Sequence, residues 1–350
     1  MTSWVLHVDL DEFLAAVEVL RRPELAGLPI VVGARGDPSE RGVVSTASYA
    51  AREHGIHSGM PLRTAQKIAQ RRCPDAVFLP VDRPVYEAAS AEVMATLKAF
   101  PGATVQVLGW DEAFVGVETD DPEATARRIQ ADVLAATGLH CSVGIGDTTT
   151  RAKIATGFGK PRGIAVLTRE TWLPVMGARP TTAVWGIGTR VAARLARLGI
   201  DTVADLAGAD PDVLVAEFGP TMGLHYGRLG RGGGHTTVDD TPWVPRAHGR
   251  ETTYQQDLTS RAEVEHAIRD LAAQVVEDIR REGRPCARVH LKVRFAPFFT
   301  VQRSRKLAEA TYDAAQIADT ALDLLDQLGD HRPVRLLGVR AEMAPPAGGY

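Results

Sequence analysis

Three carboxylates, far apart in sequence, define the chemistry open to this chain. Asp9 lies in His7-Val8-Asp9-Leu10-Asp11-Glu12-Phe13-Leu14, and Asp111 and Glu112 lie in Leu108-Gly109-Trp110-Asp111-Glu112-Ala113-Phe114. Each group ends a short apolar run, Trp4-Val5-Leu6 in one case and Val105-Gln106-Val107-Leu108 in the other. Such runs read as buried strands, so the acids meet if the two strands lie side by side. Hard oxygen ligands gathered in this way suit Mg²⁺, and two such ions roughly 3.5–4 Å apart form the clamp used for in-line phosphoryl transfer. Asp11 has a plainer explanation, since an acid at the first turn of the following helix favours its dipole.

The elements that must position these acids follow from the punctuation of the chain. Residues 1–12 read as a strand, 13–21 as a helix and Pro29-Ile30-Val31-Val32-Gly33 as another strand. The segment Val43–Tyr49 leads into a helix ended by Gly55, and Thr46, Tyr49 and Arg52 fall at i, i+3, i+6, close to one helical face if the helix has already begun. A hydroxyl, a phenol and a guanidinium on one face suit the β- and γ-phosphates of a nucleotide. A helix over 86–100 precedes a strand pair over 104–117, and Asp121-Pro122 supplies an N-cap with Pro at N1. A strand over 140–146 and a helix from Thr148 to Phe158 complete an α+β unit ending near 168. Residues 170–230 read as helical, with the glycine turn Gly186-Ile187-Gly188 opening a helix whose amides suit a phosphate. Residues 230–249, with Gly232-Gly233-Gly234, Pro242 and Pro245, read as a linker. From 250 onward the order is β (250–255), α (261–282), β (286–296), β (299–306), α (313–328), β (334–342), a split βαβ pattern.

Composition narrows the class. With 45% hydrophobic and 24% charged residues the chain is globular, long enough for two or three domains. No apolar run approaches the roughly 20 residues that span a bilayer, and no secretory leader is visible. Cys73, Cys141 and Cys286 stand alone, which predicts free thiols in a reducing cytoplasm, and the ten histidines are scattered. The net charge of −3 hides a segregation. Nine basic residues face one acid between Arg280 and Lys306, whereas Val105–Glu123 holds six acids and no base. That pattern predicts a basic face for a polyanion and an acidic pocket for cations. Arg288, Lys292 and Arg294 alternate with apolar residues, so they share one side of a strand.

The motifs together resemble the Y-family (translesion) DNA polymerases of the DinB, or DNA polymerase IV, type, over nearly the whole length. His7–Phe13 is similar to the family's first metal motif and Gly109–Ala113 to its second. Val44–Arg52 followed by Ser58-Gly59-Met60-Pro61 resembles the fingers segment. Ala152-Lys153-Ile154-Ala155 and Gly159-Lys160-Pro161-Arg162-Gly163 resemble the palm segment ending in the triphosphate lysine. Val184–Gly188 looks like the thumb hairpin, and 286–312 resembles the little-finger strands. The resemblance implies an α+β, right-hand polymerase. It has a ferredoxin-like palm (1–12 and 79–168), small fingers (13–78), a thumb with a helix-hairpin-helix (169–231), a linker (232–248), a βαββαβ little finger (249–343) and a tail (344–350).

It also implies roles. Asp9, Asp111 and Glu112 are the catalytic metal ligands, with the Leu10 carbonyl capping the nucleotide-side ion; two Mg²⁺ per site are expected, and Mn²⁺ substitutes. Thr46, Tyr49, Arg52 and Lys160 hold the triphosphate, with the amides of Phe13 and Leu14 at the helix start. Gly186, Gly188, Arg303, Ser304 and Arg305 meet the DNA backbone, the arginines through their spacing of two on a strand. The expected partners are primer-template DNA, dNTPs and rNTPs, for a cytoplasmic monomer with no membrane attachment.

Three positions depart from the family pattern. Position 14, usually a Phe or Tyr whose ring excludes a 2′-hydroxyl, is leucine, so Leu14 is a weakened steric gate and ribonucleotides are expected to enter; the plainer reading is that Leu14 fills core volume while Phe13 or Tyr49 guards the sugar. Glu12 and Trp110 are also unusual. The family's short Gln/Leu/Phe clamp-binding peptide is not seen in Ala344–Tyr350. The rival readings are a catalytically silent DNA-binding accessory protein in mutagenic repair, against which the three acids argue, and a nucleotide cyclase-like palm enzyme, which needs neither a helix-hairpin-helix nor a basic little finger.

Overall fold

The computed structural model describes residues 2–350. In chain order the elements are β1 (Thr2–Leu10), α1 (Phe13–Arg21), β2 (Ile30–Val32), β3 (Thr46–Ala47), α2 (Tyr49–Glu53), α3 (Leu62–Arg72), β4 (Val77–Leu79), α4 (Arg83–Ala99), β5 (Thr104–Val107), β6 (Glu112–Thr119), α5 (Pro122–Thr137), β7 (Cys141–Gly146), α6 (Thr149–Gly159) and β8 (Ile164–Leu167). Then follow α7 (Arg169–Met176), α8 (Thr189–Ala196), α9 (Val203–Gly208), α10 (Pro211–Phe218) and α11 (Pro220–Gly230). The C-terminal part holds β9 (Ala247–Leu258), α12 (Arg261–Arg281), β10 (Cys286–Phe295), β11 (Phe299–Thr311), α13 (Ala314–Asp326) and β12 (Val334–Met343). The chain divides into two compact units. One comprises residues up to Gly36, Val44–Gly59 and Ile68–Thr241; the other comprises Asp37–Val43, Met60–Lys67 and Pro242–Tyr350.

The first unit is built on a five-stranded sheet of order β5-β6-β1-β7-β8. β1 is central and antiparallel to both neighbours. Leu6, Val8 and Leu10 alternate along it into a core shared with α1, α4 and α5, where Val17, Tyr86, Leu97 and Ile129 pack. The opposite face receives α6, and it does so at very short range. A Cβ on Gly144 of β7 would lie 2.0 Å from the Ala152 carbonyl, and one on Gly146 would lie 2.5 Å from the Ala152 amide. Only glycine lets this helix lie directly on the strand. Caps fix where the helices begin: Ser48 accepts from Ala51, Asp121 from Ala124 and Thr148 from Arg151. A small sheet of order β3-β2-β4 stands beside α1 and α2.

The segment from α7 to α11 has its own apolar cluster around Trp172, Val184, Ile187, Leu195, Val203 and Leu229. Residues 232–235, glycine-rich and read from composition as the start of a linker, are docked on the N-terminus of α6. Thr148 and Thr150 donate to the Gly232 and Gly233 carbonyls, and the Thr149 amide donates to His235. Here glycine serves close approach, since a Cβ on Gly234 would lie 2.6 Å from the Thr149 hydroxyl.

The second unit has a sheet of order β11-β10-β12-β9, all neighbours antiparallel, with α12 and α13 packed on one face. The hydrophobic set Val289, Leu291, Val293 and Phe295 points to the helices, which leaves Arg288, His290, Lys292 and Arg294 on the open face. A capping box of Ser260 and Glu263 starts α12. Cys73, Cys141 and Cys286 are buried free thiols, and no helix among the described residues is long and apolar enough to cross a membrane.

Candidate active site

The register of the central sheet brings the acids together. β1 and β6 pair so that Asp9 stands opposite Glu112, and the Leu10 amide donates to the Asp111 carbonyl at 2.8 Å. Strand alternation puts His7 on the same face as Asp9. Ligand atoms of His7, Asp9 and Glu112 lie within 4.8 Å of one another. Two ammonium groups from the α6 segment face them, Lys153 against Glu112 and Lys160 against Asp9. Desolvation in the cleft, then Asp9 and Glu112 beside it, raise the pKa of Asp111 above the usual carboxylate value.

His7 is almost fully buried. Its Nδ1 lies 2.8 Å from the Thr156 hydroxyl, and its Nε2 lies 3.1 Å from both the Glu112 carboxylate and Lys153 Nζ. Burial, with Lys153 adding to it, lowers the His7 pKa and keeps the ring neutral. Glu112 is pulled down to about 2 by the His7 nitrogen and by Lys153.

The other side of the cleft is organised by Asp11. This carboxylate is buried and receives the Tyr49 hydroxyl at 2.6 Å, the Ser142 hydroxyl at 3.0 Å and the Arg162 amide at 2.8 Å. It is therefore an internal strut joining β1, α2, β7 and the loop that carries Lys160; the helix-dipole explanation for Asp11 is corrected, because its oxygens face these donors. Glu12 holds a left-handed conformation (φ 44°) at the start of α1 and accepts from the Tyr49 amide. Burial is the main reason its pKa is raised.

Tyr49 and Arg52 share α2, with the guanidinium 4.9 Å from the ring centroid and Nε donating to the Ala47 carbonyl at 2.9 Å. Thr46 does not join them on a helical face. It stands on β3, because the extended Ser48 caps the helix and delays its start to Tyr49. Phe13 and Leu14 form the first turn of α1, whose leading amides lack intrahelical partners. Both side chains belong to the core, with Leu14 only 6% exposed and the Phe13 ring edge-on to Tyr86.

A cleft of about 900 Å³ runs from His7, Asp9, Lys153 and Lys160 to Trp185, Gly186 and Gly188. Gly186 has φ +95°, and Gly188 is the N-cap of α8. In the second unit, Arg303 and Arg305 lie opposite Leu291 and Val289, on the helix side of β11, while Ser304 lies opposite His290 on the open face. The spacing of two thus separates Ser304 from the arginines. Arg305 is paired with Asp323 at 2.8 Å.

His7, Lys153 and Thr156 were not singled out as site residues from the sequence. The signal for His7 was available in the period of β1, two residues before Asp9. Lys153 and Thr156 depend on the close docking of α6, which no local pattern reveals.

Residues 8–157 match the model of the impB/mucB/samB family, and residues 245–349 match that of its C-terminal domain. A DNA polymerase IV 2 of Mycobacterium tuberculosis is 48% identical over 345 residues, covering 97% of this chain and 98% of that protein. A DNA polymerase IV of Methanoculleus marisnigri is 39% identical over 350 residues, covering 97% and 94% respectively. Among solved structures, a Y-family DNA polymerase chimera built from Dbh and Dpo4 superposes with a TM-score of 0.83 at 24% identity, covering 97% of this chain and 98% of that one. DinB from Sulfolobus solfataricus gives 0.58 at 25% identity over the same shares.

Proposed function

The chain belongs to the impB/mucB/samB family as a DinB-type Y-family DNA polymerase, and from that premise we propose that it joins nucleotides to a primer 3′-hydroxyl through a two-metal site at Asp9, Asp111 and Glu112, with weak discrimination against ribonucleotides. It is a translesion DNA polymerase acting on primer-template DNA with dNTPs. The observation that carries the metal assignment is the pairing of Asp9 with Glu112 across two strands beside an Asp111 whose pKa is raised by burial and then by Asp9. An acid cluster made of hard oxygen donors fits Mg²⁺ and also Mn²⁺.

Asp9, Asp111, Glu112 and the Leu10 carbonyl would hold the ions. When bound, the ions neutralise the triphosphate and lower the pKa of the primer hydroxyl. Lys160 and Arg52 supply cationic contacts for the phosphates, one as a point charge and one as a fork. Tyr49 contributes its phenol, and Thr46, from β3, a hydroxyl. Asp11 holds Tyr49 and the Lys160 loop in register, so it positions and does not ligate. Lys153 and His7 keep the Glu112 carboxylate ionised and oriented. The amides at Gly186 and Gly188 suit primer phosphates independent of sequence. In the little finger, Arg303, Ser304 and Arg305 on β11 serve the DNA backbone.

Primer extension on a defined template tests the reading. Wild type should extend, whereas Asp9→Ala and Asp111→Ala should not, while each still binds primer-template. Substantial extension by either variant removes the metal assignment. The sugar reading rests on Leu14, which brings no ring to the start of α1, while the Phe13 ring packs edge-on to Tyr86.

A further inference from the structure

The turn joining β10 to β11 carries the most exposed aromatic pair of the second unit's sheet. Phe298 is 65% exposed and Phe299 52% exposed. A tip of this kind is ordinarily polar, and two solvent-facing phenyl rings cost hydration without contributing to the core. The rings are interleaved with arginines. The Arg332 guanidinium lies over both the buried Phe295, at 5.3 Å, and the exposed Phe299, at 4.6 Å. Arg335 and Arg294 lie over Phe298 at 4.7 and 5.7 Å.

The charge around the tip is unbalanced. Arg332 is satisfied by Asp330, but Arg335 has no carboxylate within ion-pair distance among the described residues. Burial lowers the Arg335 pKa, and so do Arg41, Arg294 and Arg63, with Asp257 acting the other way. Arg335 is thus repelled by three guanidinium groups, of which Arg41 is itself paired with Asp257. A polyanion resolves that repulsion, and an apolar protein partner does not.

We propose that this tip, formed by Phe298 and Phe299 with Arg294, Arg332 and Arg335, is a stacking platform for the unpaired bases of single-stranded DNA. Arginine heads hold the backbone phosphates, and the open ring faces receive bases, which stack without regard to sequence because every base has a π-face. A duplex keeps its bases stacked on one another and offers the rings nothing, so the platform selects strands that are already open. The inference goes beyond the nucleotidyl-transfer chemistry and does not depend on Asp9, Asp111 or Glu112.

The test is equilibrium binding by fluorescence anisotropy of the full chain in EDTA, so that no catalysis enters. The probes are a labelled oligo-dT strand and an abasic strand of the same length and charge. Wild type should bind oligo-dT more tightly by about 5- to 150-fold per stacked base. Phe298→Ala combined with Phe299→Ala should abolish that difference, leaving affinity for the abasic strand and its salt slope unchanged, because no charge is removed. Trp at both positions should restore it, which also guards against a folding defect in the alanine variant. Equal affinity of wild type for the two strands overturns the proposal, with no variant needed. So does a base-dependent difference that survives the double alanine substitution, since the stacking residues then lie elsewhere.

Discussion

The acidic cleft of the first unit and the open sheet face of the second are made by the same device and behave in opposite ways. In each, strand alternation sends one set of side chains to the core and the other outward: His7 and Asp9 on β1, Arg288, His290, Lys292 and Arg294 on β10. In the cleft the charges are partly desolvated and each has a single assigned counter-charge, Lys160 for Asp9 and Lys153 for Glu112. On the face they are solvated, with Lys292 paired to Glu251 and with Arg288 and His290 sharing Glu342. Interaction energy rises as the local dielectric falls, so one cleft residue should count for more than several face residues.

The largest expected effect therefore lies in the cleft. Asp9→Asn or Asp111→Asn preserves shape and removes charge, and should lower kcat by about 10²–10³-fold or more. Single-turnover extension with excess Mg²⁺ measures it. A loss under tenfold in both would mean that the cleft acids count no more than residues on the open face. Next comes Leu14, a neutral core residue in the first turn of α1. Leu14→Phe should restore sugar selectivity by roughly 10–200-fold, measured as the ratio of kcat/KM for dNTP and rNTP. If wild type already rejects ribonucleotides strongly and the added ring changes nothing, Leu14 is only core volume.

These two sites also show what the sequence could and could not yield. The placement of Asp9, Asp111 and Glu112 at adjoining strand ends was legible because strand-end acids in apolar runs are local patterns, and so were the caps at Asp121 and Thr148. The second unit's sheet was legible strand by strand from its alternation. Thr46 was misassigned to a helical face because one side chain, Ser48, decides where α2 starts. Asp11 was undecided because its three donors come from α2, β7 and the loop after α6, and tertiary contacts leave no local trace. Gly232–Gly234 illustrates the same limit: composition gives a flexible segment, whereas the actual cause of the glycines is contact with α6 and Trp172.

A smaller effect is expected where an ion pair has a structural task. Arg250 donates through Nε and Nη2 to Asp278 at 2.6 and 2.7 Å, joining β9 to α12. Asp278 is buried and Arg250 half exposed, so Arg250→Ala should cost about 1–2 kcal/mol, a few degrees in Tm, without altering kcat. The Arg250 hydrogen bond lowers the Asp278 pKa from 3.8. A depressed carboxylate stabilises the fold above its unfolded value and loses that contribution as pH falls through the folded one. Wild type and Arg250→Ala should therefore differ in Tm at pH 7 and converge as the pH falls below 3.8. A constant difference down to low pH would mean that packing of the arginine stem, and not charge, is what is lost.

The smallest effects belong to β11, which is an edge strand and so has one backbone edge unpaired. Arg303 and Arg305 project to the helix side and Lys306 to the open face, as their partners Leu291, Val289 and Arg288 require. Each phosphate contact contributes about 0.9 to the slope of log K against log salt. Arg303 is exposed, and among the described residues its only side-chain hydrogen bond is to the Gln302 carbonyl, so Arg303→Ala should flatten the slope for primer-template by close to one unit. Arg305 must first leave Asp323, whose attraction offsets part of what a phosphate offers, so Arg305→Ala should change the slope by less. Lys306→Ala serves as the control from the other face of the same strand. If it alone flattens the slope, DNA lies on the open face and the two arginines face solvent. Equal flattening by Arg303→Ala and Lys306→Ala would mean that the backbone tracks the edge itself, reached by side chains from both faces.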